Sequence, residues 1–263
     1  MCLIAFSWQP QAPVPLVMAA NRDEFYARPT RALHRWADKA ILAGKDLQAN
    51  GTWLGVSTSG RVAALTNYRD PARNRPDAPS RGDLTAAFLS GTGTSAQYLA
   101  ALALRANAYN PFNLLVFDGQ SLMGFESRHR RFFKLPEGVG VVSNADFNVF
   151  WPKAGRLRDG FAQALRQHDM HAQDLACTLG VDTLFELLSE RATAADADLP
   201  QTGITPDLEK ALSAAFIQMP GYGTRASSVL RVGRTGADMV ERSFDVDGLI
   251  GEVHQQIDWS SQT

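Results

Sequence analysis

Two short apolar segments at the start of the chain constrain its fold most strongly. Residues 2–7 and 15–20 are apolar, and the residues between them are rich in Pro and Gln, as in a turn. This pattern predicts an antiparallel hairpin, in which the far end of the second strand lies beside the start of the first. The polar stretch Asn-Arg-Asp-Glu at residues 21–24 directly follows the second strand. We therefore expect these four residues to lie next to Cys2.

Cys2 directly follows the initiator methionine, which is an unusual place for a thiol. Removal of Met1 would leave Cys2 with a thiol and a free α-amine on one residue. The amine has a pKa of about 7.7–8.0 and the thiol of about 8.5, so the amine can take the thiol proton directly or through a water. Cys2 is therefore a candidate nucleophile that carries its own base. The alternative is that Cys2 is a small apolar residue opening a buried strand.

Composition narrows the classes of function. The chain has 263 residues, with 26 basic and 27 acidic side chains and a formal net charge of −1. No bulk positive charge favours nucleic acid as a partner. The two cysteines, Cys2 and Cys177, are too few for a disulfide framework and indicate a reducing compartment. We interpret Cys177, in an apolar helix-like context, as unreactive.

Patterns typical of targeting and of metal binding are missing from the sequence. The first apolar stretch is too short for a signal peptide and no basic residue precedes it. No run approaches the roughly 18 apolar residues of a membrane span. No C-x-x-C or H-x-x-x-H pattern occurs, and we interpret His168 and His171 as surface residues near a helix end. We expect a cytoplasmic protein without a membrane span, a metal site or a cofactor.

The rest of the chain alternates between strand-like and helix-like segments. Period-two patterns and turn signals predict strands at 52–57, 61–66, 113–117, 121–126, 132–135, 139–142, 227–232 and 239–244. Helical spacing predicts helices at 84–89, 96–107, 153–167, 183–189 and 207–216. We expect an irregular segment from residue 28 and a poorly ordered tail past His254. Two antiparallel sheets face to face, with helices on their outer faces, fit this order. No linker is long enough to divide the chain, so we expect one domain over residues 1–263.

The polar stretch at residues 21–24 resembles the signature of the NRDE proteins, the family of the transport and Golgi organisation protein 2. Other blocks that resemble this family follow in the same order: Met1-Cys2, Gly51-Thr52-Trp53-Leu54-Gly55, Leu65-Thr66-Asn67-Tyr68-Arg69, Ser143-Asn144, Trp151-Pro152-Lys153, Gly223-Thr224-Arg225 and Ser227-Ser228-Val229. The resemblance spans nearly the whole chain.

This family is similar in turn to the cysteine N-terminal nucleophile hydrolases, which include penicillin V acylase and bile salt hydrolase. The resemblance implies a four-layer αββα fold and cleavage or transfer at an amide bond. In those hydrolases the second strand ends in an Arg-Asn-x-Asp block, of which Asn21 and Asp23 are kept here. Ala20 stands in place of the arginine. Arg22, two positions on, points to the same side of an extended strand and could substitute for it.

Physical chemistry and the resemblance together suggest roles for single residues. Asp23 suits an orienting contact with the Cys2 α-amine, and Arg22 or Arg225 would lower the pKa of the thiol. Asn67 and Asn144 match two hydrolase asparagines that donate to an oxyanion, a role worth about 2.7–4 kcal/mol per donor. Taken alone, either asparagine could be a turn-former, and Arg225 could form an ion pair with Asp23 or Glu24.

The candidate substrate-binding residues are Asn21, Arg22, Trp53, Tyr68 and Trp151. The two tryptophans could line an apolar acyl pocket, or they could pack in the core.

Two functions follow from these patterns. The first is an N-terminal cysteine amidohydrolase or acyltransferase acting on a small amide, with Cys2, Asp23, Asn67, Asn144 and Arg225 as catalytic residues. The second is a non-catalytic ligand-binding or trafficking protein that handles haem or acyl lipids on the same scaffold. A thiolate such as that of Cys2 can be an axial haem ligand, although no Cys-Pro motif is present.

Overall fold

The computed structural model of the chain describes residues 2–147, 149, 151–172, 175 and 180–259, so that Cys177 lies outside the described residues. The strands, β1 to β14 in chain order, are Cys2–Trp8, Leu16–Phe25, Thr30–Arg35, Ile41–Asp46, Leu54–Ser57, Val62–Asn67, Phe112–Phe117, Leu122–Glu126, Arg131–Lys134, Gly138–Val142, Gln218–Met219, Tyr222–Val232, Gly236–Asp245 and Gly248–Asp258. The α-helices, α1 to α5, are Gly82–Ser90, Ser95–Arg105, Pro152–His168, Val181–Leu188 and Pro206–Ala211.

The strands form two antiparallel sheets of seven strands each. The first sheet has the order β10-β1-β2-β12-β13-β14, with β11 paired to β12, and the second sheet runs from β3 to β9 in chain order. β1 and β2 form the predicted hairpin, with Cys2 opposite Arg22. The prediction that residues 21–24 lie beside Cys2 is confirmed, although they belong to β2 itself rather than following it.

Strand β1 lies in the interior of this layered structure, and all seven of its residues are buried. Cys2, Ile4 and Phe6 join the apolar core between the two sheets. Leu3 and Ala5 face the other way and pack with helices α3 and α4. A strand covered on both faces has no exposed face that needs polar residues, which explains its nearly continuous apolar sequence.

Helices α1 and α2 cover the outer face of the second sheet, with Phe88 and Leu99 in a third apolar cluster. The layers therefore follow the order helix, sheet, sheet, helix, and the predicted αββα architecture is confirmed. Helix α3 begins at Pro152, where a missing backbone N–H costs nothing, and this start places Lys153 in its first turn.

Several predictions about local structure were wrong. The segment from residue 28 contains the regular strand β3, whose backbone pairs with β4. Residues 255–258 of the tail are the end of β14, which pairs with β13 as far as Asp258, and residues 260–263 lie outside the described residues. In both strands the pairing with a neighbour decides the structure, because the side chains are too polar and irregular in pattern to indicate a strand by themselves.

His171 is also not a surface residue. It is buried at 7% exposure, and its two ring nitrogens bond to Ser7 Oγ at 2.8 Å and to the Val14 carbonyl oxygen at 2.6 Å. The predicted helix over 207–216 ends earlier, at Ala211.

Candidate active site

A cavity of about 510 Å³ lies where β1 begins, and Cys2 forms part of its wall. Both sheets contribute to the wall, as do the loop before β5 with Trp53 and the segment 74–82 that leads into α1. About a third of the lining residues are charged, with seven arginine or lysine residues against four carboxylates. The cavity can therefore receive a small polar molecule directly against Cys2.

Cys2 is 5% exposed and faces the layer between the two sheets. Burial raises the pKa of the Cys2 thiol to about 11, because a buried thiolate loses its hydration. Cys2 is therefore a protonated thiol at neutral pH unless a base or a positive charge acts on it.

The residues of β2 divide between two faces of the first sheet. Arg22 and Glu24 share the cavity side with Cys2. Asn21 points away from the cavity: its Nδ2 donates to the carbonyl oxygens of Leu188 at 2.7 Å and Ala215 at 2.9 Å. Its Oδ1 accepts a hydrogen bond of 2.6 Å from Ser227. Asn21 therefore joins β2 to the helical layer.

Asp23 lies at the boundary between these environments. It belongs to the cavity wall but is only 1% exposed, and its Oδ1 accepts a hydrogen bond of 2.7 Å from Thr224 Oγ1. Lys153 is buried on the same side, and its Nζ donates to the Leu212 carbonyl oxygen at 2.9 Å. Burial lowers the pKa of Lys153 to about 8, and the negative charge of Asp23 opposes that shift.

An ion-pair network occupies one wall of the cavity. Arg28 pairs with Asp46 at 2.7 Å, and Arg22 pairs with Glu24 at 3.4 Å. Longer contacts of 3.8 Å join Arg22 to Asp46 and Arg28 to Glu24. The charges of both arginines are thus largely balanced by these two carboxylates.

Arg225 lies in the cavity wall at a β-bulge of β12, between Thr224 and Ala226. Its guanidinium donates to the carbonyl oxygens of Tyr26 at 2.7 Å and Phe244 at 2.9 Å. The structure gives it these carbonyl partners instead of the ion pair with Asp23 or Glu24 that was the alternative expectation.

The two candidate oxyanion donors lie in contact with each other. Asn67 ends β6 and lines the cavity together with Cys2. Asn144 is fully buried, and its Nδ2 donates to the backbone carbonyl oxygen of Asn67 at 2.8 Å. Asn144 thereby holds the chain at the point where Asn67 meets the cavity.

Among the candidate aromatic residues, Trp53 lines the cavity and Tyr68 and Trp151 do not. The Trp151 ring stacks with the Arg69 guanidinium at 4.5 Å, and the Tyr68 ring stacks with the Arg128 guanidinium at 5.0 Å.

The fold brings together six of the predicted site residues at one cavity: Cys2, Arg22, Asp23, Trp53, Asn67 and Arg225. It places Asn21, Tyr68, Asn144 and Trp151 outside the lining of that cavity.

Sequence reasoning missed three further groups at this site. They are Arg81, Glu241 and Lys153, none of which the sequence patterns marked as a site residue. Arg81 and Glu241 line the cavity, and burial raises the pKa of the Glu241 carboxyl to about 7. Glu241 shares its face of β13 with Ala237 and Met239, which belong to the core between the sheets. A carboxylate on that apolar face is the one signal that could have identified any of them.

Within the described part of the chain, no three His, Cys, Asp or Glu side chains are arranged as a metal site. In the same residues no helix has the length and apolar character needed to cross a bilayer.

Known proteins resemble this chain both in sequence and in fold. The family model described as "Transport and Golgi organisation 2" matches residues 1–245. The transport and Golgi organization 2 homolog of Mus musculus is 34% identical over 93% of both chains. The homolog of Bos taurus is 35% identical over 93% of both.

Among solved structures, a single-residue variant of conjugated bile acid hydrolase from Clostridium perfringens superposes with a TM-score of 0.56 at 9% identity. The superposition covers 100% of this chain and 94% of that one, and at this level of identity the likeness is one of fold. The C2A mutant of the same hydrolase gives a TM-score of 0.53. The fold is thus that of the N-terminal nucleophile hydrolases, and by its sequence the chain belongs to the Transport and Golgi organisation 2 family.

Proposed function

We propose that this chain is an N-terminal cysteine hydrolase or acyltransferase acting on the C–N bond of a small amide, with Cys2 as its nucleophile. The observation that carries the proposal is the position of Cys2 in the wall of a cavity of about 510 Å³. A cavity of this size suits a small organic substrate. The fold likeness supports the same reaction class, because the relative is named a hydrolase and a cysteine stands at its position 2 as well.

The proposed reaction uses two groups of one residue. Removal of Met1 frees the α-amine of Cys2. The Cys2 sulfur attacks the carbonyl carbon of the amide while the thiol proton passes to that amine. The tetrahedral intermediate then collapses, the C–N bond breaks, and the leaving amine takes the proton. Water, or a second amine in a transfer, attacks the thioester, releases the acyl group and restores the thiol.

The surrounding residues have roles in this scheme. Asp23, buried and held by Thr224, orients the α-amine. Asn67 supplies an amide donor to the oxyanion from the cavity wall, and Asn144 fixes the position of Asn67 through the bond to its carbonyl oxygen. Arg22 and Trp53 contact the substrate, and Arg225 shapes the wall by holding the backbone at Tyr26 and Phe244.

The test compares wild type with Cys2→Ala and Cys2→Ser against a panel of acyl-amides, with intact mass establishing that Met1 is removed. Cys177→Ala is the matched control, because it removes the other thiol of the chain. We expect Cys2→Ala to reduce turnover at least about 10³-fold, because no nucleophile remains. Cys177→Ala should be as active as wild type.

Peptide mass spectrometry should also find the acyl adduct on residue 2. Equal turnover by wild type and Cys2→Ala would contradict the proposal. Ligand binding without turnover in any of the proteins would favour the carrier function instead.

A further inference from the structure

The buried Cys2 thiol needs a positive charge nearby if it is to ionise near neutral pH. Two of the arginines in the cavity wall, Arg22 and Arg28, are engaged with Glu24 and Asp46 at 2.7 to 3.8 Å. Arg225 is committed to backbone carbonyl oxygens. Arg22 lowers the pKa of the Cys2 thiol, but it shares its charge with Glu24 and Asp46. A further cation in the cavity wall, without a carboxylate partner, would therefore strengthen this effect on the sulfur.

Arg81 is a half-buried cation in that wall, directly before helix α1. Its Nη1 donates to the Pro111 carbonyl oxygen at 3.2 Å. Within the described ranges, none of the ion pairs joins Arg81 to a carboxylate, in contrast to Arg22 and Arg28. A guanidinium held by a neutral carbonyl oxygen keeps its full charge available to the cavity.

The backbone next to Arg81 is in contact with the segment before β5, which also lines the cavity. The Thr52 N–H donates to the Gly82 carbonyl oxygen at 3.3 Å. A side chain at Gly51 would place its Cβ only 2.5 Å from the Gly82 carbonyl carbon, so the two glycines allow a close approach of the chains. This contact fixes the start of α1, and with it the position of Arg81 relative to the cavity.

We propose that Arg81 is a positioning residue for the Cys2 thiolate: its guanidinium supplies the positive charge that lets the buried sulfur lose its proton. The inference rests on the proposed function, in which Cys2 is the nucleophile, and adds to it the group that activates the thiol. Arg81 also comes from a segment that none of the family-like sequence blocks includes.

The electrostatics of the site agree with this role. Burial lowers the pKa of the Arg81 guanidinium, and the negative charge of the Cys2 thiolate is the strongest influence that opposes this shift, ahead of Glu24. Other charged or titratable groups also act on Cys2 or are acted on by it. The amino terminus of the chain and Arg22 lower the pKa of the thiol, and Asp23 and Glu24 raise it; Lys153 from α3 and Tyr222 from β12 also interact with Cys2. Because these groups are unchanged in an Arg81 variant, a comparison of variants isolates the contribution of Arg81.

The experiment measures the rate of Cys2 alkylation by iodoacetamide as a function of pH, in a Cys177→Ala background with one thiol. Arg81→Gln should raise the thiol pKa by about one unit, so that alkylation at pH 7 is about tenfold slower. Arg81→Lys should restore most of the rate, because it keeps the charge. Arg75→Gln is the matched control: Arg75 also lines the cavity, but its Nη2 donates to the exposed carbonyl oxygens of Asn107 and Ala108.

An unchanged thiol pKa in a folded Arg81→Gln protein, or an equal shift in Arg75→Gln, would overturn the proposal. Arg81→Met, which keeps the aliphatic stem, takes the place of Arg81→Gln if the latter does not fold. Alkylation requires no substrate, so this test is independent of the amide panel. If wild type cleaves none of the amides but its thiol pKa rises in Arg81→Gln, the hydrolase proposal alone is refuted. If wild type is active but the thiol pKa is the same in Arg81→Gln, the role of Arg81 alone is refuted.

Discussion

Adjacent residues of β2 have different functions because a strand alternates its side chains between two faces. Arg22 and Glu24 belong to the cavity, whereas Asn21 bonds on the other face of the sheet, to the carbonyl oxygens of Leu188 and Ala215 and to the Ser227 hydroxyl of β12. A polar side chain that is buried and fully bonded contributes mainly to folding, since its loss leaves several buried partners unsatisfied. The structure therefore favours a structural role for Asn21 over the substrate contact suggested by its position in the motif.

We predict that Asn21→Ala lowers the free energy of unfolding by about 1–3 kcal/mol, because two backbone carbonyl oxygens and the Ser227 hydroxyl lose their partner. Urea denaturation measures the change. Glu24→Gln, which alters a partly exposed ion pair on the cavity side, should change stability by less than about 1 kcal/mol. If Asn21→Ala were as stable as wild type but impaired in substrate KM, Asn21 would instead be a binding residue.

At the scale of elements, the last three strands are joined by a buried charge cluster. Arg231 on β12 pairs with Asp238 on β13 at 3.0 Å, and both side chains are at most 1% exposed. The ring of His254 on β14 bonds to the other oxygen of Asp238. This cluster adds to the backbone pairing that keeps the chain in the sheet as far as Asp258, even though most of the β14 side chains are exposed.

We predict that Asp238→Ala destabilises the protein by about 3–5 kcal/mol, because the Arg231 charge would remain buried without its carboxylate. Denaturant unfolding provides the measurement. Asp196→Ala is the control, since its pair with Lys210 is largely exposed and should contribute about 0–1 kcal/mol. A second substitution, Arg231→Met, should recover much of the loss. Equal effects of Asp238→Ala and Asp196→Ala would disprove the role of burial.

At the scale of the whole molecule, Glu241 connects the two sheets. It projects from β13 in the first sheet, and its Oε1 accepts a hydrogen bond of 2.7 Å from the Leu33 N–H of β3 in the second. Its Oε2 accepts one of 3.3 Å from Ser228. Burial raises the pKa of the carboxyl from 4.5 to about 7. Between these values the folded protein binds a proton that the unfolded chain does not, so this group stabilises the fold at low pH.

We predict that the stability advantage of wild type over Glu241→Gln falls by about 2–3 kcal/mol between pH 5 and pH 8, because the charged carboxylate is disfavoured in the interior above its folded pKa. Glutamine keeps an acceptor for Leu33 and a donor for Ser228, so the variant should fold. Thermal and urea unfolding at both pH values give the difference. Glu252→Gln, on exposed β14, should show no such change. A pH-independent difference between wild type and Glu241→Gln would rule out titration of this residue.

Local sequence patterns were sufficient for several parts of the structure. The apolar segments and the turn between them predicted the hairpin of β1 and β2, and helical spacing predicted α3 closely. The motif blocks predicted the family and, with it, the fold of the two sheets. Strands β3 and β14 were missed, because each depends on pairing with a neighbour rather than on a pattern of its own.

By itself, the sequence determined most of the elements, the order of the four layers and the proximity of Cys2 to residues 21–24, since these follow from local patterns, the family-like blocks and hairpin pairing between segments close in the chain. Only the tertiary structure decided that Asn144 supports Asn67 and that Arg81 and Glu241 line the cavity beside Cys2. Such contacts join residues tens to hundreds of positions apart. They are set by the packing of sheets and helices, and no local pattern encodes which distant side chains that packing brings together.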